Sequence, residues 1–187
     1  MALSDGSSFS FTERALQGSG FPAAELTPGA ELDAEAAAAL DRLARASAVH
    51  DRALRLLEGS GHTVRGLERK LLARGAEPAL VQSELDRLAV SGLLNDESYA
   101  ASWVRERLAR HPEGGGPLLS GLQRRGVARE LAEKAVRAQL TDEAEREAAA
   151  ALAEKLRRRS DMTVERLQNS LSRRGFRRSV IREVLGG

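Results

Sequence analysis

The chain has no cysteine, and only six of its 187 residues are aromatic: four Phe, one Tyr and one Trp. Without cysteine there is neither a disulfide framework nor a thiolate metal site. So few aromatics cannot form the series of stacking platforms on which single-stranded nucleic acid is usually held. Histidine is scarce too. His50, His62 and His111 stand apart, in no His-Glu-x-x-His arrangement, so no metal or cofactor is expected. Lysine occurs only at 70, 134 and 155, and arginine supplies every other cation. That preference fits guanidinium forks on phosphate or carboxylate, and equally the Ala, Arg, Gly and Leu bias of a GC-rich genome. There is no twenty-residue apolar run and no charged, apolar, small-residue leader, so a cytoplasmic protein with no membrane partner is expected. Period-two alternation is also missing, and strands are not expected.

What the chain does have is charge, helix periodicity and repetition. Charged residues make up 30% of it and apolar residues 42%, enough for a real core but one spread through layers of Leu, Val and Ala. The net charge of +2 conceals a gradient. Residues 1 to 50 carry three Arg against seven acids, whereas residues 155 to 182 carry ten Lys or Arg against two acids. A basic end of this kind fits an anionic partner, either nucleic acid or an acidic protein groove, and it also fits a solvated helix face.

Three segments share one ending: Leu67 to Gly75, Leu118 to Gly126, and Leu167 to Gly175, each with Leu four residues into the segment and Arg just before the glycine. The glycines lie 51 and 49 residues apart, which marks a module of about fifty residues copied three times. Apolar residues follow each glycine at matching offsets, as Leu80-Val81, Leu131-Ala132 and Val180-Ile181, then Leu85, Val136 and Leu185. Each glycine fits the left-handed position that closes a helix. Leu71, Leu122 and Leu171 then fall three residues inside the end, and Ala76, Val127 and Phe176 are placed to pack back on them. Gly75, Gly126 and Gly175 are thus read as structural turn residues.

Helix boundaries follow from caps and breakers. Asp33 to Glu58 has no Gly or Pro and reads as one long helix or two abutting ones. Thr63 caps a helix to Arg74, and Pro78 opens one to about Val90. Asn95 caps the next, which ends at His111-Pro112 and carries Tyr99 and Trp103 one turn apart, suited to the core or to stacking a base. Helices from Pro117 to Arg125, Arg129 to Leu140, Asp142 to Arg159, Thr163 to Arg174 and Arg178 to Leu185 complete the series. The expected fold is all-α: three tandem three-helix, helix-turn-helix-like repeats in an elongated array, behind a poorly ordered N-terminal segment. The expected divisions are 1–32 as a mobile tail, 33–46 as a helical extension, and repeats at 47–94, 95–141 and 142–187.

Candidate chemistry is sparse. Gly114-Gly115-Gly116 follows no strand and precedes no Lys-Ser or Lys-Thr, so it reads as a flexible connector and not as a phosphate loop. No nucleophile has an activating base and no carboxylate pair stands apart from helix-start acids, so catalysis is not expected. The cations that flank the repeated turns are the candidate contact residues. Arg74, Arg125 and Arg174 complement the negative end of a helix, which contributes roughly 0.3 to 1 kcal/mol each. Arg177 and Arg178 sit near a helix start, where the dipole disfavours cations, so an external anion explains them better. Together with Arg173 and Arg174 they form the preferred surface; Arg157, Arg158, Arg124, Lys70 and Arg107 are further candidates.

Over roughly residues 48 to 185 these features resemble the RecX family, regulators of the bacterial RecA recombinase. The resemblance is carried by Leu67 to Gly75 with Val81, Leu85, Leu88 and Gly92-Leu93-Leu94-Asn95-Asp96-Glu97-Ser98-Tyr99-Ala100, running on to Trp103-Val104-Arg105-Glu106-Arg107; by Gly116-Pro117, Leu122 and Arg125-Gly126-Val127; and by Arg173-Arg174-Gly175-Phe176 with Val180-Ile181. The chain departs from the family pattern at Ala76, where a larger apolar residue is common, and at Leu118-Leu119-Ser120, where basic residues are common. The resemblance implies a non-catalytic modulator of three tandem repeats that lodges in the groove of the RecA filament on single-stranded DNA. It would lower RecA's ATP hydrolysis, strand exchange and stimulation of repressor cleavage. A monomer is expected, with direct DNA contact through the basic C-terminal repeat as a further possibility. The rival readings are a DNA-binding helix-turn-helix protein whose recognition helix begins near Arg177, and a helical scaffold for another protein.

Overall fold

A computed structural model describes residues 33–158 and 162–186. Among these there are nine helices and no strand: α1 Ala34–Gly59, α2 Val64–Leu72, α3 Pro78–Val90, α4 Asp96–Arg110, α5 Gly115–Arg124, α6 Arg129–Gln139, α7 Asp142–Arg157, α8 Val164–Arg173 and α9 Arg178–Gly186. The expected N-terminal tail, residues 1–32, lies outside the described residues. The helix from Ala34 is continuous to Gly59, so the extension at 33–46 runs without a break into the first repeat.

Five of the nine described helices start at a side chain that caps them, Thr63 among them. Asp33 accepts a hydrogen bond from the Ala36 amide, Asn95 from Ser98, Thr141 from Ala144 and Thr163 from Arg166. Each cap satisfies one of the orphan amides of a first turn, typically contributing about 1 kcal/mol. The ends behave as the glycine pattern predicts. Gly75, Gly126 and Gly175 have φ of 81°, 92° and 77°. The amides of Ala76, Val127 and Phe176 return to the carbonyls of Leu71, Leu122 and Leu171, at 3.3, 3.2 and 3.3 Å. These are the reciprocal bonds of a Schellman ending. Gly92 has the same backbone sign, φ 75°, after α3.

The chain forms two compact units. Among the described residues, one comprises those up to His62 together with Leu67–Leu94; the other comprises Thr63–Gly66 and those from Asn95 onward. In the first, α1 packs on α3, and the buried side chains include Val49, Ala53, Leu67, Leu71, Val81, Leu85 and Leu88. Glu84 is buried there too. It accepts from His50 Nδ1 at 2.8 Å and from the Arg87 guanidinium, so its charge is not left unpaired.

The second unit holds two cores. Around α4, α5 and α6, Ala100, Val104, Leu118, Leu122, Val127, Ala132 and Val136 are buried, with Tyr99 and Trp103 packed against them. The core role of the two aromatics therefore holds. Around α7, α8 and α9 the buried set is Ala149, Leu152, Ala153, Leu171, Phe176, Val180 and Ile181. Cores this small tolerate little loss: truncating one such Leu to Ala typically costs about 2–5 kcal/mol.

Gly114-Gly115-Gly116 departs from the expectation of a flexible connector. Gly114 is the buried N-terminal cap position of α5, and Gly115 and Gly116 are already helical. Its amide donates to the Arg174 carbonyl at 2.9 Å, and a Cβ on it would overlap the backbone at Gly175. Glycine is needed there for close approach of two backbones rather than for flexibility.

Candidate functional site

The cations singled out in the sequence divide by what they touch. Arg74 Nη1 donates to the Lys70 carbonyl at 3.1 Å, Arg125 Nη1 to the Gly121 carbonyl at 3.0 Å, and Arg173 Nε to the Asn169 carbonyl at 3.4 Å. Each therefore completes the last turn of its own helix, the stabilising role expected of cations at a helix end. Arg125 also lies over the Trp103 ring, 4.6 Å from its centroid. Arg174 reaches the Pro112 carbonyl at 3.4 Å. Lys70 Nζ meets His62 Nε2 at 3.1 Å. Burial lowers the His62 pKa from its ordinary value and the Lys70 charge lowers it further, which favours the neutral imidazole that can accept from the ammonium.

Arg107 and Arg177 are internal clamps. Arg107 forks onto the buried Glu113, Nε to Oε1 at 2.6 Å and Nη2 to Oε2 at 3.1 Å. The hydrogen bond to Glu113 raises the guanidinium pKa above its already high ordinary value. Arg177 was expected to need an external anion because it stands beside a helix start. The structure supplies two internal ones from α7. Its Nη2 meets Asp142 Oδ1 at 2.6 Å and its Nε meets Glu145 Oε2 at 2.5 Å, while its backbone amide donates to Glu145 Oε1 at 3.0 Å. Hydrogen bonds to Asp142 and then Glu145 raise its pKa. Glu145 is only 3% exposed, so this clamp neutralises a buried carboxylate and ties the start of α9 to α7.

Arg158 pairs with Glu154 at 3.0 Å on an exposed helix face. Among the described residues Arg124, Arg157 and Arg178 make no ion pair. Arg178 differs from the other two in its surroundings. It lines a groove of about 600 Å³ between α8 and α9, with Val164, Gln168, Asn169, Ser172 and Arg182. Ile181 and Leu185 form part of its floor. Arg182, one turn beyond Arg178, is likewise unpaired and was not singled out from the sequence. The four-residue spacing that puts both on one helix face was the signal available. Of the preferred set, Arg178 lines the groove, where Arg182 joins it, while Arg173 and Arg174 meet backbone carbonyls and Arg177 meets Asp142 and the buried Glu145.

Among the described residues no three His, Asp or Glu side chains gather in one place. No helix among them is long and apolar enough to cross a membrane.

Capped helices, glycine-closed helix pairs and an open basic groove define a helical repeat protein of the helix-turn-helix type. Comparison with known proteins gives the particular family. The family model described as "RecX, second three-helix domain" matches residues 95–136. The regulatory protein RecX of Treponema pallidum is 37% identical over 133 residues, spanning 71% of this chain and 80% of that protein. The regulatory protein RecX of Mycobacterium sp. (strain KMS) is 35% identical over 150 residues, or 75% of this chain and 81% of its own. A crystal structure of a regulatory protein RecX superposes with a TM-score of 0.81 at 26% identity, covering 99% of this chain and 92% of that one. RecX from Lactobacillus salivarius gives 0.71, also at 26%, over 76% and 95%. The chain belongs to the RecX family of regulatory proteins.

Proposed function

We propose that this chain is a non-catalytic, cytoplasmic modulator of a RecA recombinase that binds the RecA filament on single-stranded DNA and suppresses its ATP hydrolysis, strand exchange and stimulation of repressor cleavage. The observation that carries this reading is the extent of the match, at least 35% identity over four-fifths of two proteins described as the regulatory protein RecX. The three-helix groups at 47–94, 95–141 and 142–187 are the working modules. A chain of modules, acting as a monomer, can touch several neighbouring filament subunits, each weak contact raising the effective concentration for the next.

The test is RecA's DNA-dependent ATP hydrolysis during titration with the protein at substoichiometric levels, with single-stranded DNA in large excess so that sequestration of DNA cannot explain a loss. The rate falls if the filament is the target. An unchanged rate overturns the reading. A second reading, direct contact with DNA, is favoured by one observation, the pair of unpaired arginines in the groove of α8 and α9.

A further inference from the structure

We infer that the groove between α8 and α9 is a seat for the phosphodiester backbone of nucleic acid, held by Arg178 and Arg182. The inference deepens the DNA part of the reading above and rests on it.

The repeats themselves provide the comparison. Arg178 and Arg182 stand three and seven residues after Gly175. The same two positions after Gly75 hold Pro78 and Gln82, and after Gly126 they hold Arg129 and Glu133. In the second repeat the pair neutralises itself, with Arg129 Nε on Glu133 Oε1 at 2.8 Å. In the first there is no cation at either position. Only the third repeat places two guanidinium groups one turn apart; both are exposed and, among the described residues, neither is paired.

The rest of the lining is consistent with an anion. Among the described residues no carboxylate lines this groove, and its other polar side chains, Gln168, Asn169 and Ser172, are neutral hydrogen-bond donors as well as acceptors. The nearby acid on α9, Glu183, is turned to Arg146 at 3.4 Å. Planar guanidinium groups about 5–6 Å apart at Cβ can each fork onto a phosphate of the same strand. An acidic peptide is the competing occupant. A helix laid in a groove needs a row of apolar anchors. Here Ile181 is only 4% exposed and Val164, at 65%, is the one strongly exposed apolar side chain of the lining. With no aromatic among the described lining residues, contact falls on the backbone and is indifferent to base sequence.

The experiment is fluorescence anisotropy of a labelled oligothymidylate titrated with the full chain, without RecA, across a series of salt concentrations. Arg182→Glu writes the ion pair of the second repeat into the third; Arg178→Lys with Arg182→Lys keeps the charge. We expect Arg182→Glu to weaken binding about ten-fold at low salt and to lower the slope of log affinity against log salt by roughly 1.4, the share of two phosphates on a single strand. The double lysine variant retains most of the affinity. Circular dichroism verifies that the helices are intact. Wild-type affinity and slope in Arg182→Glu overturn the inference, as does equal competition by polyglutamate, which would assign the groove to an acidic peptide. RecA's ATP hydrolysis is measured on the same variants. DNA binding lost with inhibition kept separates the groove from filament binding; DNA binding present with no effect on RecA removes the filament reading and leaves the groove standing.

Discussion

Arg177 and Arg178 are neighbours with the same side chain, yet they do different work. Arg177 turns inward to Asp142 and Glu145, while Arg178 turns to the groove. Replacing Arg177 with Ala removes the guanidinium from a buried carboxylate but leaves the amide that also serves it. The full penalty for breaking a buried pair is about 3–5 kcal/mol, and the retained amide and half-exposed partner reduce it to about 2 kcal/mol here. We predict a fall in thermal midpoint of about 5 °C for Arg177→Ala. Arg178→Ala is expected to stay within about 0.5 kcal/mol of wild type. Equal melting curves for the two variants would show that the clamp contributes nothing. The pair also marks a limit of reading the sequence. Helix-end glycines and caps were legible because their partners lie within six residues. Arg177's acids lie 32 and 35 residues away on α7, and no local pattern joins them.

At the scale of the element, helix positions followed from the period of the apolar residues, because that period is what the cores bury. How closely two helices approach did not. Gly121 shows why: it is a buried glycine inside α5, where propensity alone counts it as unfavourable by about 1 kcal/mol. A Cβ at this position would overlap the Trp103 indole, whose Cζ2 would be 3.1 Å away. Gly121 is what lets the outer edge of the Trp103 indole on α4 come up against α5, with Arg125 over the ring face. Gly121→Ala gains helix propensity but must push the ring off its seat. We predict net destabilisation of about 1–3 kcal/mol, in the range of core overpacking. Trp103 is the only tryptophan, so the change is read directly. Its emission should shift to the red as the ring moves toward water. An unshifted spectrum with raised stability would mean that α5 can move aside at no cost.

At the scale of the whole molecule, one hydrogen bond within the second unit recurs at matching positions of the sequence repeat. The carbonyl just before a repeated glycine takes a hydrogen bond from the helix start of the preceding repeat, twelve residues before that repeat's own glycine. Arg125 accepts from Thr63 Oγ1 at 2.5 Å, and Arg174 accepts from the Gly114 amide at 2.9 Å. The two contacts use different chemistry at one position. Thr63 stands far enough away for its hydroxyl to bridge, whereas Gly114 comes so close that only a residue without Cβ fits. The third occupant, Thr163, is exposed and serves only as a cap for Arg166. Gly75 correspondingly has nothing near its Cβ position. This makes a comparison of two isosteric changes informative. Thr163→Val loses one cap, about 1 kcal/mol. Thr63→Val loses the cap on Gly66 and also strands the Arg125 carbonyl, so about 2–3 kcal/mol is expected. Denaturant titration of both variants measures the difference, and amide exchange at Gly66 locates it. If the two variants lose the same stability, the hydroxyl contact with Arg125 adds nothing beyond the cap.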